Sequence, residues 1–128
     1  MRKLRVGKLL TASALALLLS TFARAEDHAK ADAAGPWKGE IVDVACYVPH
    51  GAKGAGHADC AKKCAKAGQP IGLLTDDGDL LLLLADHEDG KPFEAAKELA
   101  GSKAEVTGQL DTRDGMKAVT VSGVKATA

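Results

Sequence analysis

Five side chains that could bind a soft metal or carry out redox chemistry are gathered in one short stretch of this 128-residue chain. The stretch includes every cysteine of the chain and two of its four histidines. Thiolate and imidazole are the ligands that Zn²⁺ and Cu⁺ prefer in proteins. The five residues are Cys46, His50, His57, Cys60 and Cys64.

The spacing of these residues predicts a metal site with four ligands. In a helix, His57, Cys60 and Cys64 would stand at positions i, i+3 and i+7 and share one face. Cys46 is expected to end a strand and to reach this face across a flexible loop rich in glycine. The result would be a Cys₃His site for Zn²⁺ or Cu⁺, with His50 as a spare ligand. Methionine is scarce, which weakens the interpretation as a copper carrier without removing it.

Two alternatives to a metal-binding protein without catalytic activity stay open at this point. A disulfide from Cys46 to Cys60 or Cys64 would stabilise the fold by about 3 kcal/mol in the loop-entropy model. Because the number of cysteines is odd, it would leave one thiol without a partner, so the protein could be a disulfide-stapled or thiol-redox module with a reactive Cys60. A zinc hydrolase would need a general base, for which Asp43 or Asp59 is available, but no catalytic motif supports an enzyme.

The first 25 residues have the pattern of a secretory signal peptide. A basic start precedes an apolar run from Leu9 to Leu19, and Ala23 and Ala25 provide the small residues of a cleavage site. The apolar run is shorter than the ~20 residues that span a bilayer, so no membrane insertion is expected after cleavage. We therefore predict a periplasmic or secreted protein.

The predicted mature chain is acidic. Five of the 17 basic residues lie in the signal peptide and all 17 acidic residues lie beyond it, which leaves 12 basic residues and a balance of −5. An acidic domain without a basic stripe does not suit nucleic acid, because contacts to phosphate supply most of that affinity. The expected partners are a metal ion and a metal-handling or redox protein.

The remaining pattern predicts a flexible lead-in over residues 26–35 and one domain over 36–128. Short apolar runs bounded by turn sequences, and alternating apolar residues in the last two runs, predict five strands, with a helix after the first strand and another between the third and fourth. That order matches the OB-fold, a small five-stranded barrel, with the Cys/His segment inserted between strands 1 and 2. A generic α+β sandwich is the alternative architecture.

Two groups of residues resemble known proteins. The run from Gly101 to Leu110 resembles the entry into the fourth strand of many OB-fold barrels. The chain also resembles small exported bacterial proteins that carry Asp-x-x-Cys, His-x-x-Cys-x-x-x-Cys and Gly-x-Pro. Here these motifs are Asp43/Cys46, His57/Cys60/Cys64 and Gly68/Pro70. The resemblance implies a small exported barrel and carries no activity with it.

Overall fold

A computed structural model describes residues 34–128. The predicted signal peptide (1–25) and most of the predicted lead-in lie outside these residues. The described α-helices are seven to nine residues long, and no helix within residues 34–128 combines the length and apolar character needed to cross a bilayer. In chain order the elements are β1 (Trp37–Asp43), α1 (Val44–His50), a short 3₁₀ helix (Ala55–His57), α2 (Ala58–Lys66), β2 (Ile71–Thr75), β3 (Leu80–Leu84), α3 (Lys91–Glu98), β4 (Lys103–Arg113) and β5 (Met116–Ala126).

The five strands form a closed barrel in the order β1-β2-β3-β5-β4, and β1 pairs with β4 to close it. Strands β3 and β5 run parallel and all other neighbours are antiparallel. Closure removes the unpaired strand edges that a flat sheet would expose. The predicted mainly β, OB-fold-like barrel with a Cys/His helical insertion between strands 1 and 2 is therefore confirmed.

The barrel interior is filled by aliphatic side chains from all five strands, because alternate residues of each strand point inward. Helices α2 and α3 add three small residues to this core, and α3 packs against β5. The fully buried core comprises Ile41, Ala61, Ala65, Ile71, Leu73, Leu81, Leu83, Ala96, Ala100, Ala104, Val106, Val119 and Val121.

One helix was not predicted. The apolar sequence after Ile41 suggested a strand that continues to Ala45 and delivers Cys46 at its end. Instead β1 stops at Asp43 and the chain turns directly into α1, so Cys46 lies in a helix. Pro49 is the sixth residue of α1 and has no N–H to donate to the carbonyl four residues earlier, which helps to keep this helix short.

Candidate metal centre

The connection between β1 and β2 forms a lobe at one end of the barrel. Its two ends are held together, since Asp43 pairs with Ile71 in the sheet and the Val44 N–H donates to the Pro70 carbonyl at 3.0 Å. Every residue of the Cys/His stretch lies within this lobe. The barrel therefore fixes the start and the end of the segment that carries the candidate ligands.

Helix α1 is short, and both of its ends are capped. The Asp43 side chain accepts a hydrogen bond from the Ala45 N–H at 3.0 Å, which is the usual way an aspartate begins a helix. At the other end Gly51 adopts a left-handed conformation (φ 66°) and donates to the Tyr47 carbonyl at 2.7 Å. These caps direct Cys46, the third residue of α1, toward α2.

The loop between α1 and α2 is anchored to the barrel by a carboxylate. Glu40 on β1 accepts a hydrogen bond from the Gly54 N–H. The His57 N–H donates to the Gly54 carbonyl at 2.9 Å and closes the 3₁₀ turn that leads into α2. These contacts hold His57 at the N-terminal end of α2, where the residue is half-buried.

Helix α2 divides into a face buried in the barrel and a face turned toward α1. Ala61 and Ala65 are fully buried in the core, while Cys60 is exposed and Cys64 is half-buried. At its C-terminal end, Lys66 forms an ion pair with Glu98 of α3 at 3.0 Å. The buried alanines thus set the rotation of α2 that brings both of its cysteines toward the same neighbour.

The side-chain atoms that could bind a metal lie in two groups of three, and both groups include Cys46. In the first group, the donor atoms of Cys46, His57 and Cys60 all lie within 4.8 Å of one another. In the second, the same holds for Asp43, Cys46 and Cys64. We call these the Cys46–His57–Cys60 triad and the Asp43–Cys46–Cys64 triad. Both arise from residues 34–128, the part of the chain that the structure describes.

The helix rise explains why there are two triads and no single Cys₃His set. His57 and Cys64 are seven residues apart, which is about 10 Å along the axis of a helix at ~1.5 Å per residue. Their donor atoms therefore do not meet at one point. Cys46 lies on α1, and its sulfur is within 4.8 Å of the donor atoms of His57 and of Cys64.

Each triad contains one buried polar atom that has no hydrogen-bond partner within residues 34–128. These atoms are His57 Nε2 and Asp43 Oδ2. The Asp43 side chain is completely buried (0% exposed), and only its Oδ1 is engaged, by the Ala45 N–H. Buried polar atoms are nearly always paired because an unpaired one costs roughly 1–3 kcal/mol. Both of these atoms lie in one cluster of thiols, where a bound cation would pair them.

The Asp43 carboxylate raises the pKa of two of the thiols. Its attraction for the thiol proton is the largest cause for both cysteines, and burial and its negative charge act in the same direction. The pKa of Cys46 is raised, and that of Cys64 rises to about 12. Because Oδ2 has no partner at full hydrogen-bond geometry, these thiol–carboxylate contacts are loose. Both thiols stay protonated at neutral pH when no cation is present.

Four of the five ligands predicted from the sequence are brought into the triads and one is not. Cys46, His57 and Cys60 stand together, while Cys64 joins Cys46 and Asp43. His50 ends α1 as an exposed residue and belongs to neither triad. Asp43 is a candidate ligand that the sequence did not predict, although the Asp-x-x-Cys spacing and a helix capped by Asp43 place it one turn from Cys46.

The fold and the donor atoms define the class of this molecule. It is an OB-fold-like barrel whose first connection carries a Cys/His/Asp cluster with the geometry of a metal site. No family model matches the chain, and no curated protein or solved structure matches it either. The donor atoms are therefore the basis for assigning a function.

Proposed function

We propose that this protein binds a soft metal ion, Zn²⁺ or Cu⁺, through Cys46, His57 and Cys60. The observation that carries the proposal is the buried His57 Nε2, which has no partner among residues 34–128 and belongs to a residue grouped with two thiols. A metal would satisfy that nitrogen. Two sulfurs and one nitrogen suit three-coordinate Cu⁺, and they suit tetrahedral Zn²⁺ if one further ligand is added.

Binding is expected to displace protons from the thiols. Cysteine coordinates metals as the thiolate, and Asp43 keeps the Cys46 thiol protonated in the metal-free protein. The apparent affinity should therefore rise with pH. A cation also removes the reason for the raised pKa, since it neutralises the charge of the nearby carboxylate.

The same raised pKa values disfavour a thiol-redox function for two of the cysteines. The thiolate is the nucleophile in disulfide exchange, and a thiol with a pKa of about 12 is almost wholly protonated at pH 7. All three cysteines are free in the structure, with the Cys46 sulfur within 4.8 Å of each of the other two. A disulfide-stapled form is therefore a distinct outcome that the experiment below detects.

The exposure of the ligands supports a role in sequestration, delivery or sensing. Cys60 is exposed, whereas the structural zinc sites of small domains are closed by four protein ligands. An open ligand allows an incoming protein thiol to take the metal by exchange. Together with the predicted signal peptide, this arrangement fits an exported metal-handling protein that has a protein partner in the same compartment.

The test is metal analysis and native mass spectrometry of the mature protein, purified without reductant or chelator. We expect at least one Zn²⁺ or Cu⁺ per chain, and the Cys46 and Cys60 thiols should become reactive only when the protein is denatured with chelator. His57→Ala should lower the affinity at least tenfold, while the matched variant His87→Ala, in an exposed loop outside both triads, should bind as the wild type does. Substoichiometric metal together with one disulfide would refute the proposal.

A further inference from the structure

We propose that the Asp43–Cys46–Cys64 triad is a second metal position, that its ion is Zn²⁺, and that the Cys46 thiolate bridges it to the first. This inference rests on the proposed function, because it assigns a second ion to the same cluster. The two triads share Cys46 and no other residue. A sulfur with more than one lone pair can serve both positions at once.

The unpartnered oxygen of Asp43 is the independent observation for this second position. Asp43 Oδ2 is buried and unpaired, just as His57 Nε2 is in the first triad. A metal in the first triad alone would satisfy His57 and leave the Asp43 oxygen unpaired. A second cation, bound by Asp43, Cys46 and Cys64, would pair that oxygen as the first would pair His57.

The geometry of α2 separates the two positions. His57 and Cys64 lie about two helical turns apart, which is ~10 Å along the axis. One ion with ligand distances of ~2.0–2.3 Å cannot bind both. Cys46, on the neighbouring helix α1, can contribute its sulfur to an ion at each end of that interval.

The charges of the ligands balance two divalent ions. Three thiolates and one carboxylate carry four negative charges, while a neutral imidazole adds none. Two Zn²⁺ ions bring four positive charges, so the filled cluster is neutral beside the fully buried Asp43. A single Zn²⁺ in the first triad is balanced by the thiolates of Cys46 and Cys60, and it leaves the charge of Asp43 without a counter-ion at a site where burial penalises it.

The donor set of the second triad selects zinc over copper. Zinc accepts carboxylate oxygen, imidazole nitrogen and thiolate sulfur, whereas Cu⁺ prefers the soft sulfur donors. The carboxylate of Asp43 therefore disfavours Cu⁺ at this position. As zinc binds, the protons of the coordinating thiols pass to the solvent, and no electron is transferred.

Titration of the reduced, chelator-stripped mature protein with Zn²⁺ tests the second position. Native mass spectrometry should show two Zn²⁺ per chain, and Co²⁺ as a spectroscopic substitute should give thiolate charge-transfer absorption that rises up to two equivalents. Asp43→Asn keeps an oxygen that can cap α1 but removes the negative charge, and it should bind one equivalent. The matched variant Asp77→Asn, in an exposed turn, should still bind two.

Further variants keep the test independent of the folding of any one of them. Cys64→Ser should also bind one equivalent, His57→Ala should retain one at the second position, and Cys46→Ser should lose both. Circular dichroism confirms that each variant is folded. One equivalent in the wild type, unchanged in Asp43→Asn and Cys64→Ser, would overturn the second position and leave the proposed function intact. No bound metal at all would overturn both.

Discussion

Gly101 is where the barrel holds the helix that carries the candidate ligands, and replacing it with alanine should destabilise the protein strongly. Its N–H donates to the Ile41 carbonyl of β1 at 2.7 Å, and it adopts a left-handed conformation (φ +78°). A Cβ added there would lie 2.3 Å from Ala58 Cα and 2.7 Å from Ala58 Cβ, at the first residue of α2. Because the nearest atom belongs to the backbone, α2 itself would have to shift.

The size of the effect has two parts. A left-handed alanine costs about 1 kcal/mol or somewhat more, and forcing an extra methyl group into a closely packed site costs a further ~1–3 kcal/mol. Gly101→Ala should therefore lose about 2–4 kcal/mol, which at ~6 °C per kcal/mol lowers the Tm by roughly 12–24 °C.

Gly115 provides the matched control, since its φ is +84° and no atom lies within 4 Å of the added Cβ. Gly115→Ala should lose only about 1 kcal/mol. Urea and thermal unfolding of the metal-free protein, followed by circular dichroism, measure both variants. Gly101→Ala should also bind Zn²⁺ more weakly, because Ala58 lies beside His57 in the chain. Equal losses of stability in the two variants would refute the argument that Gly101 positions α2.

Three other predictions concern pH and packing. The metal-free protein should lose stability as the pH rises from about 9 toward 12, because the folded-state pKa of Cys64 is raised from 9.0 to about 12 and its protonated form is the one that folding favours; urea unfolding across this range should show a smaller loss in Asp43→Asn. Glu105 accepts a hydrogen bond from Lys125 at 2.8 Å and lies 3.8 Å from the ammonium of Lys38, and both lysines lower its pKa. Glu105→Gln should therefore destabilise the protein only slightly at pH 7, as is usual for ion pairs with exposed lysines. The difference in stability between the wild type and Glu105→Gln should disappear as the pH falls through the lowered pKa of Glu105. A difference that stays constant with pH would contradict its electrostatic origin. Leu73→Ala, in the barrel core, should cost about 2–5 kcal/mol, whereas Leu84→Ala, at a side chain that is 41% exposed, should cost much less in the same unfolding assay.

The barrel could be predicted from the sequence because its information is local. Strands β4 and β5 alternate apolar and polar residues, β2 and β3 are short apolar runs, and turn residues separate the strands, as between Thr75 and Leu80. Helix α1 was missed because Ile41, Val42 and Val44 continue the pattern of a strand past its end. The point at which β1 stops is set by pairing with β2, where Asp43 is the last partner, opposite Ile71.

The candidate site was predictable in its residues and not in their grouping. The clustering of cysteines and histidines is evident from the amino-acid sequence. Their division into two triads depends on the position that α1 gives to Cys46. Asp43 was overlooked because an aspartate that begins a helix has a sufficient structural reason to be there. The burial of its second oxygen, which has no partner among residues 34–128, is what makes this helix cap a candidate ligand as well. His50 has an imidazole that could bind a metal, but it is the exposed last residue of α1 and belongs to neither triad.

Strand β1 separates the single tryptophan from the candidate site. Trp37 begins the strand and packs against the core, whereas Asp43 ends it, six residues or about 20 Å farther on at ~3.3 Å per residue. Indole fluorescence therefore reports on the integrity of the barrel, while ultraviolet absorption by a thiolate–metal bond reports on the lobe. Recorded together during chemical denaturation, the two optical probes would show whether the lobe melts before the barrel or with it, without any added label.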